Sequence, residues 1–436
     1  MRRALTIIIF GVLVLVNGNS QEQLSLSDAI QIGLKNNYDL QITRNKEKIS
    51  DINNTWGNTS IMPSLDFSLT GRENLNINSN EDYRTQTIKP DLNLSWVLFD
   101  GFSAVISKQK FEELEKQSQG NTAIMVELTI QDIILAYNNC LLQKDLLLVY
   151  KELAALSEDR YNRSIYSKEL GVGTTYEGLQ AKTSWLEDQA NFLQQKNNYE
   201  NSVRTLNFIL SVEDNSNWDF ISELTTETPD YNIDDLSAKL MHSNSNLKNQ
   251  YIYQTILAKE TELARSNYYP SVRLGTGLSN TDMGNFYSGT SADITQNFSD
   301  VYVGLTLSWN IFNGGTRQRS IQIAKINEES AQVQTGQMEH SLKNQLLQLY
   351  SNYNVNKTLF DLAKEKEVTA KLNLDLSADK LKNGTINSFN YRDVQIQYMN
   401  AAISKMKAIY NLISSNTDLL RITGGILEEY EQELAD

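Results

Sequence analysis

One pattern, stated twice at an interval of 213 residues, constrains this chain more than any other property. Leu92-Asn-Leu-Ser-Trp96 followed by Phe99-Asp-Gly101 returns as Leu305-Thr-Leu-Ser-Trp309 followed by Phe312-Asn-Gly314. The same offset pairs Tyr137 with Tyr350 and Gly171 with Gly384, so two halves run in register over most of their length. A self-similar chain is read as one structural unit used twice, and whatever one unit leaves unburied the other must share.

The repeated motif carries strands. From Val301 onward, Val301, Val303, Leu305, Leu307, Trp309 and Ile311 share one parity, while Tyr302, Gly304, Thr306, Ser308 and Asn310 share the other. Period two gives a strand with one apolar and one polar face. In the first copy Ile88, Pro90, Leu92, Leu94, Trp96 and Leu98 alternate with Lys89, Asp91, Asn93 and Ser95. A partner strand precedes each: Leu65, Phe67 and Leu69 after Pro63, then Val272 and Leu274 after Pro270. These make β-hairpins at about 63–99 and 270–313, with Asn78 to Thr85 and Gly284 to Ser299 as their loops, the second longer by about six residues. An apolar outer face with an aromatic near one end suits an outer-membrane barrel, and the alternative is the edge of a soluble sandwich. Four strands are too few: a transmembrane barrel needs at least about 8, and an open edge in lipid leaves backbone groups unpaired. Several copies would have to share one barrel.

The remainder reads as long helix. Between Gly101 and Gly171-Val-Gly173 there is no proline, and Gly120 is the single breaker. Ile130, Ile133, Ile134, Tyr137, Leu141 and Leu148 fall at helical spacings. A continuous helix there would be on the order of 100 Å long. It returns over Thr175 to about Leu210, and the second copy runs from Gly315 to Lys382-Asn-Gly384 and on to about Ile422. Each repeat is then a short leading helix, a hairpin, a long helix, a tight turn and a returning helix. The first repeat occupies 21–228, with helices at about 101–211 and a tip turn at about 171–175. The second occupies 229–427, with helices at about 315–423 and a tip turn at about 383–387.

Residues 1–20 read as a signal peptide: Arg2 and Arg3, then an apolar run from Ala4 to Val16, then Gly18-Asn-Ser20 before a cleavage expected at Gln21. The alternative is an N-terminal anchor, but the run is shorter than the roughly 20 residues a span needs. The chain is therefore expected to be exported. Its net charge of −14 argues against nucleic acid as a partner, because phosphate contacts need clustered Lys and Arg. Cys140, the single cysteine, falls on an apolar helix face and reads as packing rather than as a nucleophile. His242 and His340 lack ligand spacing, so neither a metal nor a cofactor is expected. No phosphate loop or nucleophile elbow is present, so an enzyme is not expected. Trp56, Trp185 and Trp218 have no partner Trp in the other repeat and are expected between helices or near junctions. Glu428 to Asp436 reads as a solvated acidic tail.

Several stretches taken together resemble the TolC-like outer membrane efflux family. Leu24-Ser-Leu-Ser-Asp-Ala-Ile-Gln-Ile-Gly-Leu-Lys-Asn-Asn37 is similar to its opening helix, with Tyr38 where a proline is common. Trp96-Val-Leu-Phe-Asp-Gly101 and Trp309-Asn-Ile-Phe-Asn-Gly-Gly315 resemble its strand-to-helix junctions. Gly173-Thr-Thr-Tyr-Glu-Gly-Leu-Gln-Ala181 and Gly384-Thr-Ile-Asn-Ser-Phe-Asn-Tyr-Arg-Asp393 resemble its two periplasmic tip turns.

The resemblance implies a mixed α and β membrane protein of two repeats, each a β-hairpin plus long coiled-coil helices. It implies a homotrimer whose hairpins form one 12-stranded barrel, continued by a periplasmic α-helical barrel. It implies the outer membrane channel of a tripartite efflux or type I secretion system. Such a duct does no covalent chemistry. It stands in the bacterial outer membrane, extends into the periplasm, and passes small molecules or proteins from an inner-membrane pump and its periplasmic adaptor. A non-transporting periplasmic tether would account for the helices but not for the strands.

On the resemblance, Asp393 and Asn390 match acidic ring positions at the periplasmic entrance, with Glu177 comparable in the first repeat. Three Asp393 carboxylates in a trimer would favour cations, unless Asp393 is simply part of a solvated helix face. Gly171, Gly173, Thr174, Gly384 and Thr385 are expected at the adaptor-docking turns, the glycines allowing positive φ. These glycines would serve equally if they only made the turn. Leu94, Trp96, Val303, Leu305, Leu307 and Trp309 are expected to face the membrane.

Overall fold

The computed structural model describes residues 22–77, 82–213, 218–289 and 292–429. The expected signal peptide, and the acidic tail beyond residue 429, lie outside the described residues. The first repeat comprises β1 (Glu22–Leu24), α1 (Leu26–Asn36), α2 (Tyr38–Asn53), β2 (Ser64–Asn76), β3 (Tyr83–Phe99), α3 (Ser103–Glu169) and α4 (Thr175–Leu210). The strand β4 (Trp218–Phe220) closes the first repeat, and the second comprises α5 (Ile233–Ser243), α6 (Ser245–Ser266), β5 (Ser271–Tyr287), β6 (Ile294–Ser308), α7 (Thr316–Lys382) and α8 (Ser388–Ile422). The fold is thus a mixed one in which long helices dominate and two β-hairpins pair.

Both long helices, α3 and α7, have 67 residues, and their first and last residues each differ by the 213 of the sequence repeat. At about 1.5 Å per residue each is roughly 100 Å long. What starts them is the repeated Phe-Asp-Gly or Phe-Asn-Gly. The Asp100 carboxylate accepts from the backbone N–H of Ala104 at 2.8 Å, and the Asn313 amide oxygen accepts from that of Arg317 at 3.4 Å. The strand-to-helix reversal needs two successive left-handed residues, Gly101 and Phe102 in one copy, Gly314 and Gly315 in the other. A Cβ on Gly101 would come within 2.6 Å of the Ser266 carbonyl, so glycine is required there for space as well as for φ.

The expected single leading helix is two helices in each repeat. Asn37 and Asn244 interrupt them by capping the second helix of each pair: each side-chain oxygen accepts the N–H three residues on, at 3.0 Å from Leu40 and 2.9 Å from Leu247. Each amide also donates across the fold, Asn37 to Ile209 at 3.0 Å and Asn244 to Ile422 at 2.8 Å. The core lies where these short helices meet the middle of the long ones. Ile130, Ile133, Ile134, Tyr137 and Leu141 are buried there as expected, but Leu148 is 58% exposed. Leu142 and Leu146 are buried instead, because a helix of 3.6 residues per turn drifts off a seven-residue stripe. Tyr137 donates to Leu24 O at 2.9 Å, and its repeat partner Tyr350 donates to Tyr231 O at 3.3 Å. The parallel pairing of β1 with β4 beside this core was not legible in the sequence. Within it Trp218 is buried and donates to Asn207 Oδ1 at 2.6 Å.

The hairpins form one antiparallel sheet in the order β2-β3-β5-β6. Two expectations change. Both connections, 77–82 and 288–293, span the same length of chain, and the second hairpin is longer in its first strand, with β5 at 17 residues against 13 for β2, while β6 has 15 against 17 for β3. Most of Gly284 to Ser299 is strand, because alternation continues through polar residues whose backbone still pairs. At the other end β6 stops at Ser308, so Trp309 and Ile311 lie beyond the ladder.

Candidate functional site

The register gathers the apolar parity of all four strands on one face. Leu65 pairs with Leu94 and Phe67 with Leu92; Leu92 pairs with Leu278 and Trp96 with Leu274; Leu274 pairs with Leu305, Thr276 with Val303 and Val272 with Leu307. Directly paired residues share a face, so an apolar surface crosses all four strands at this end of the sheet, broken by Thr276, and gives way further along to Asn280, Asp282 and Ser299. Val303, Leu305 and Leu307 are 75%, 67% and 67% exposed, and Phe67 is 71% exposed. So much contiguous apolar surface marks a face made for a non-aqueous neighbour. The opposite face carries Asp91, Asn93, Ser95, Ser279, Asp300, Tyr302 and Thr306. Tyr302 donates to Asn93 Oδ1 at 2.8 Å, its ring passing over Gly277, where a Cβ would collide with it.

The two repeated tryptophans are fixed alike at one margin of this sheet. Trp96 Nε1 donates to Ile61 O at 3.0 Å and Trp309 Nε1 donates to Tyr268 O at 3.1 Å, each carbonyl lying two residues before the proline that opens a hairpin. Both rings stay largely exposed. An indole with its N–H anchored to the backbone and its ring bare suits the boundary between apolar and polar surroundings.

At the far end the helical hairpins close on Gly171 and Gly384, with φ of +75° and +72°. Gly173 does not take the positive φ expected of it. It is needed for space, since a Cβ there would stand 3.0 Å from Lys168 N and 3.1 Å from Ser167. Thr174 and Asn387, 213 residues apart, are the N-caps of α4 and α8. Glu177 and Asn390 are each three residues further on. Glu177 closes a capping box, its carboxylate accepting Thr174 N at 2.9 Å while Thr174 Oγ1 accepts Glu177 N at 3.2 Å. Those bonds to Thr174 hold the Glu177 carboxyl below its ordinary pKa. Asn390 donates its backbone N–H to Asn387 Oδ1 at 2.9 Å and leaves its own amide outside the cap. Thr385 Oγ1 donates to Lys380 O at 2.9 Å. Asp393 is exposed on α8.

Beside Asp393 the structure assembles a group that spacing did not reveal. Arg392 on α8 and Asp188 on α4 form an ion pair at 2.5 Å, both largely buried. Arg160 of α3 lies near them, its pKa lowered to about 10 by burial first and then by the charge of Arg392. One turn away, Trp185 stacks on Tyr161 with centroids 5.5 Å apart. The contributing residues belong to different hairpins, 204 residues apart for the ion pair, so no local motif announces them. Cys140, fully buried far from any turn, has its thiol pushed up to about 12 by burial, as suits a packing residue. Glu428 is solvated as expected, its side chain 66% exposed while it pairs with Lys239 at 2.7 Å.

Comparison with known proteins agrees with this geometry. Residues 236–425 match the family model described as outer membrane efflux protein. No curated protein matches the chain in sequence. Among solved structures, the CmeC outer membrane channel of Campylobacter jejuni is 17% identical, with a TM-score of 0.74 over 94% of this chain and 89% of that one. CusC is 14% identical, with a TM-score of 0.74 over 93% of each chain. The open-state MtrE outer membrane channel of Neisseria gonorrhoeae is 14% identical, with a TM-score of 0.72 over 92% of this chain and 89% of that one. Residues 236–425 are thus similar to the outer membrane efflux proteins, and the chain as a whole has the fold of the TolC-like outer membrane channels.

Proposed function

We propose that the protein is the exit duct of a tripartite export system: a homotrimer in the bacterial outer membrane whose helices reach through the periplasm to an adaptor and an inner-membrane pump. The observation that carries this reading is the apolar face continuous over four strands whose two edges, β2 and β6, have no partner among the described residues. Lipid offers no hydrogen bonds to an open edge, so the sheet closes by joining those of other copies. Three copies give twelve strands, with Leu94, Trp96, Val303, Leu305, Leu307 and Trp309 toward lipid and the polar face toward a water-filled lumen. A periplasmic tether would leave this apolar face unexplained.

The hairpin turns are then the periplasmic end. Gly171, Gly173, Thr174, Gly384 and Thr385 form the surface offered to the adaptor, and Asp393, Asn390 and Glu177 stand near the entrance. Asp393 supplies the ring charge, with Glu177 adding to it as an anion held by its cap. Single-channel recording in planar bilayers tests the whole reading. The trimer should conduct, prefer cations and be blocked by multivalent cations from the side of the turns. A silent monomeric product would refute the duct, and Asp393→Asn with unchanged conductance and block would remove the ring alone.

A further inference from the structure

The two repeats differ in charge where the sheet hands over to the helices. Beside Trp309 lies an open cavity of about 370 Å³, walled by Arg265, Tyr268 and Tyr269 around the end of α6 and by Ile321, Gln322 and Lys325 in the first turns of α7. Both charged residues of its wall are cations, and no acid lines it. Arg317 stands at its edge, 4.8 Å over the Tyr268 ring.

These charges are reachable and unspent. Arg265 and Lys325 are exposed, and none of the three cations has an ion-pair partner among the described residues. The acids nearby on α6 are already engaged, Glu262 with Lys259 at 3.0 Å and Glu260 with Lys110 at 2.9 Å. Glu328 and Glu329 follow Lys325 on α7 by about one turn, and no ion pair joins either to it. The repeat does not demand this cluster, since Ala104 and Glu112 occupy the positions 213 residues before Arg317 and Lys325. A local excess of cations in a chain of net charge −14 runs against the prevailing sign and selects an anion.

The position of the cavity selects the kind of anion. Tyr268 lines it, and the Tyr268 carbonyl holds the indole of Trp309, which continues the apolar parity of β6. Leu307, Ile311 and Phe312 are bare on the same stretch of chain, at 67%, 80% and 85% exposed. We infer that the cavity binds the phosphate of an anionic glycerophospholipid, held between Arg265 and Lys325, with its acyl chains along Trp309 and Leu307. A soluble anion would use the cations and leave the adjoining apolar surface uncovered. This inference rests on the membrane placement of the sheet proposed above and names a ligand at the helical margin of that sheet.

The test mixes the intact protein in detergent with equal amounts of phosphatidylglycerol and phosphatidylcholine of matched chains and reads the retained lipid by native mass spectrometry. Phosphatidylglycerol should be retained on the order of tenfold over phosphatidylcholine, as expected where cations meet an anionic headgroup. Arg265→Gln combined with Lys325→Gln should lose the preference. Arg163→Gln combined with Arg204→Gln removes the same charge from α3 and α4, away from the cavity, and should keep it. Lys325→Gln alone, at an exposed residue, should lower the preference and serves if the double variant fails to assemble. Equal retention of the two lipids overturns the inference, as does retention of neither, the result if a neighbouring copy covers the cavity. A preference that survives the loss of Arg265 and Lys325 overturns it too, because the lipid then sits elsewhere. Displacement of phosphatidylglycerol by an equal concentration of inorganic phosphate likewise overturns it, since the site would serve a free anion. Conductance recorded on the same samples separates the two proposals: a conducting trimer without lipid preference defeats only this inference, and a silent protein that still prefers the anionic lipid defeats only the duct.

Discussion

At the scale of single residues, a few polar groups contribute more than their position along the chain would suggest. Asn244 is almost fully buried and serves twice, capping α6 through its oxygen and holding Ile422 O through its nitrogen. Asn244→Ala removes both and leaves a buried carbonyl unsatisfied, so it should destabilise the protein by about 2 kcal/mol, read as a lowered midpoint of chemical unfolding in detergent. Glu177 makes a pH-dependent contribution. Its folded pKa is depressed below the ordinary 4.5, so the cap's stabilisation is present above the unfolded value and is lost as pH falls through the folded one. Hydrogen exchange at the first turn of α4 should therefore accelerate below about pH 4 after correction for intrinsic rates, and Glu177→Gln should flatten that dependence. Cys140 gives a third expectation. Burial holds its thiol near 12, so maleimide should fail to label the native protein at pH 8 and should label it promptly in denaturant.

At the scale of elements, the repeat is followed more closely by helices than by strands. Helices α3 and α7 correspond end for end, because the same Asp or Asn cap starts each and the same left-handed glycine stops each. The strands diverge, since backbone pairing in a ladder continues as long as a partner strand is present. The ion pair between Asp188 and Arg392 ties α4 of one repeat to α8 of the other near their turns, where few apolar contacts hold the hairpins together. Removing one member strands the other. Asp188→Ala should cost about 3 kcal/mol and raise exchange at both turns, whereas Asp188→Leu combined with Arg392→Met should recover much of the loss. If the single and double variants unfold alike, the pair is not what joins these helices.

At the scale of the whole molecule, the two faces of the sheet should respond oppositely to the same charge. Val303→Arg puts a cation on the apolar face, a cost of about 2–4 kcal/mol per chain if it lies near the bilayer midplane, and should prevent stable membrane insertion. Thr306→Arg, on the polar face of the same strand, should insert and lower cation conductance. Membrane fractionation followed by single-channel recording distinguishes them. Much of this architecture was legible in the chain itself. The period-two runs around Trp96 and Trp309, the breaks at Gly171 and Gly384 and the interval of 213 residues are local facts, and backbone stereochemistry alone turns them into strands, turns and paired helices. Where β6 stops, why Leu148 is bare while Leu146 is buried, and that Arg160, Asp188 and Arg392 come together near the turns were decided only by the tertiary structure. Strand length depends on the partner strand, burial on how two helices cross, and a charge cluster on residues distant in sequence meeting in space.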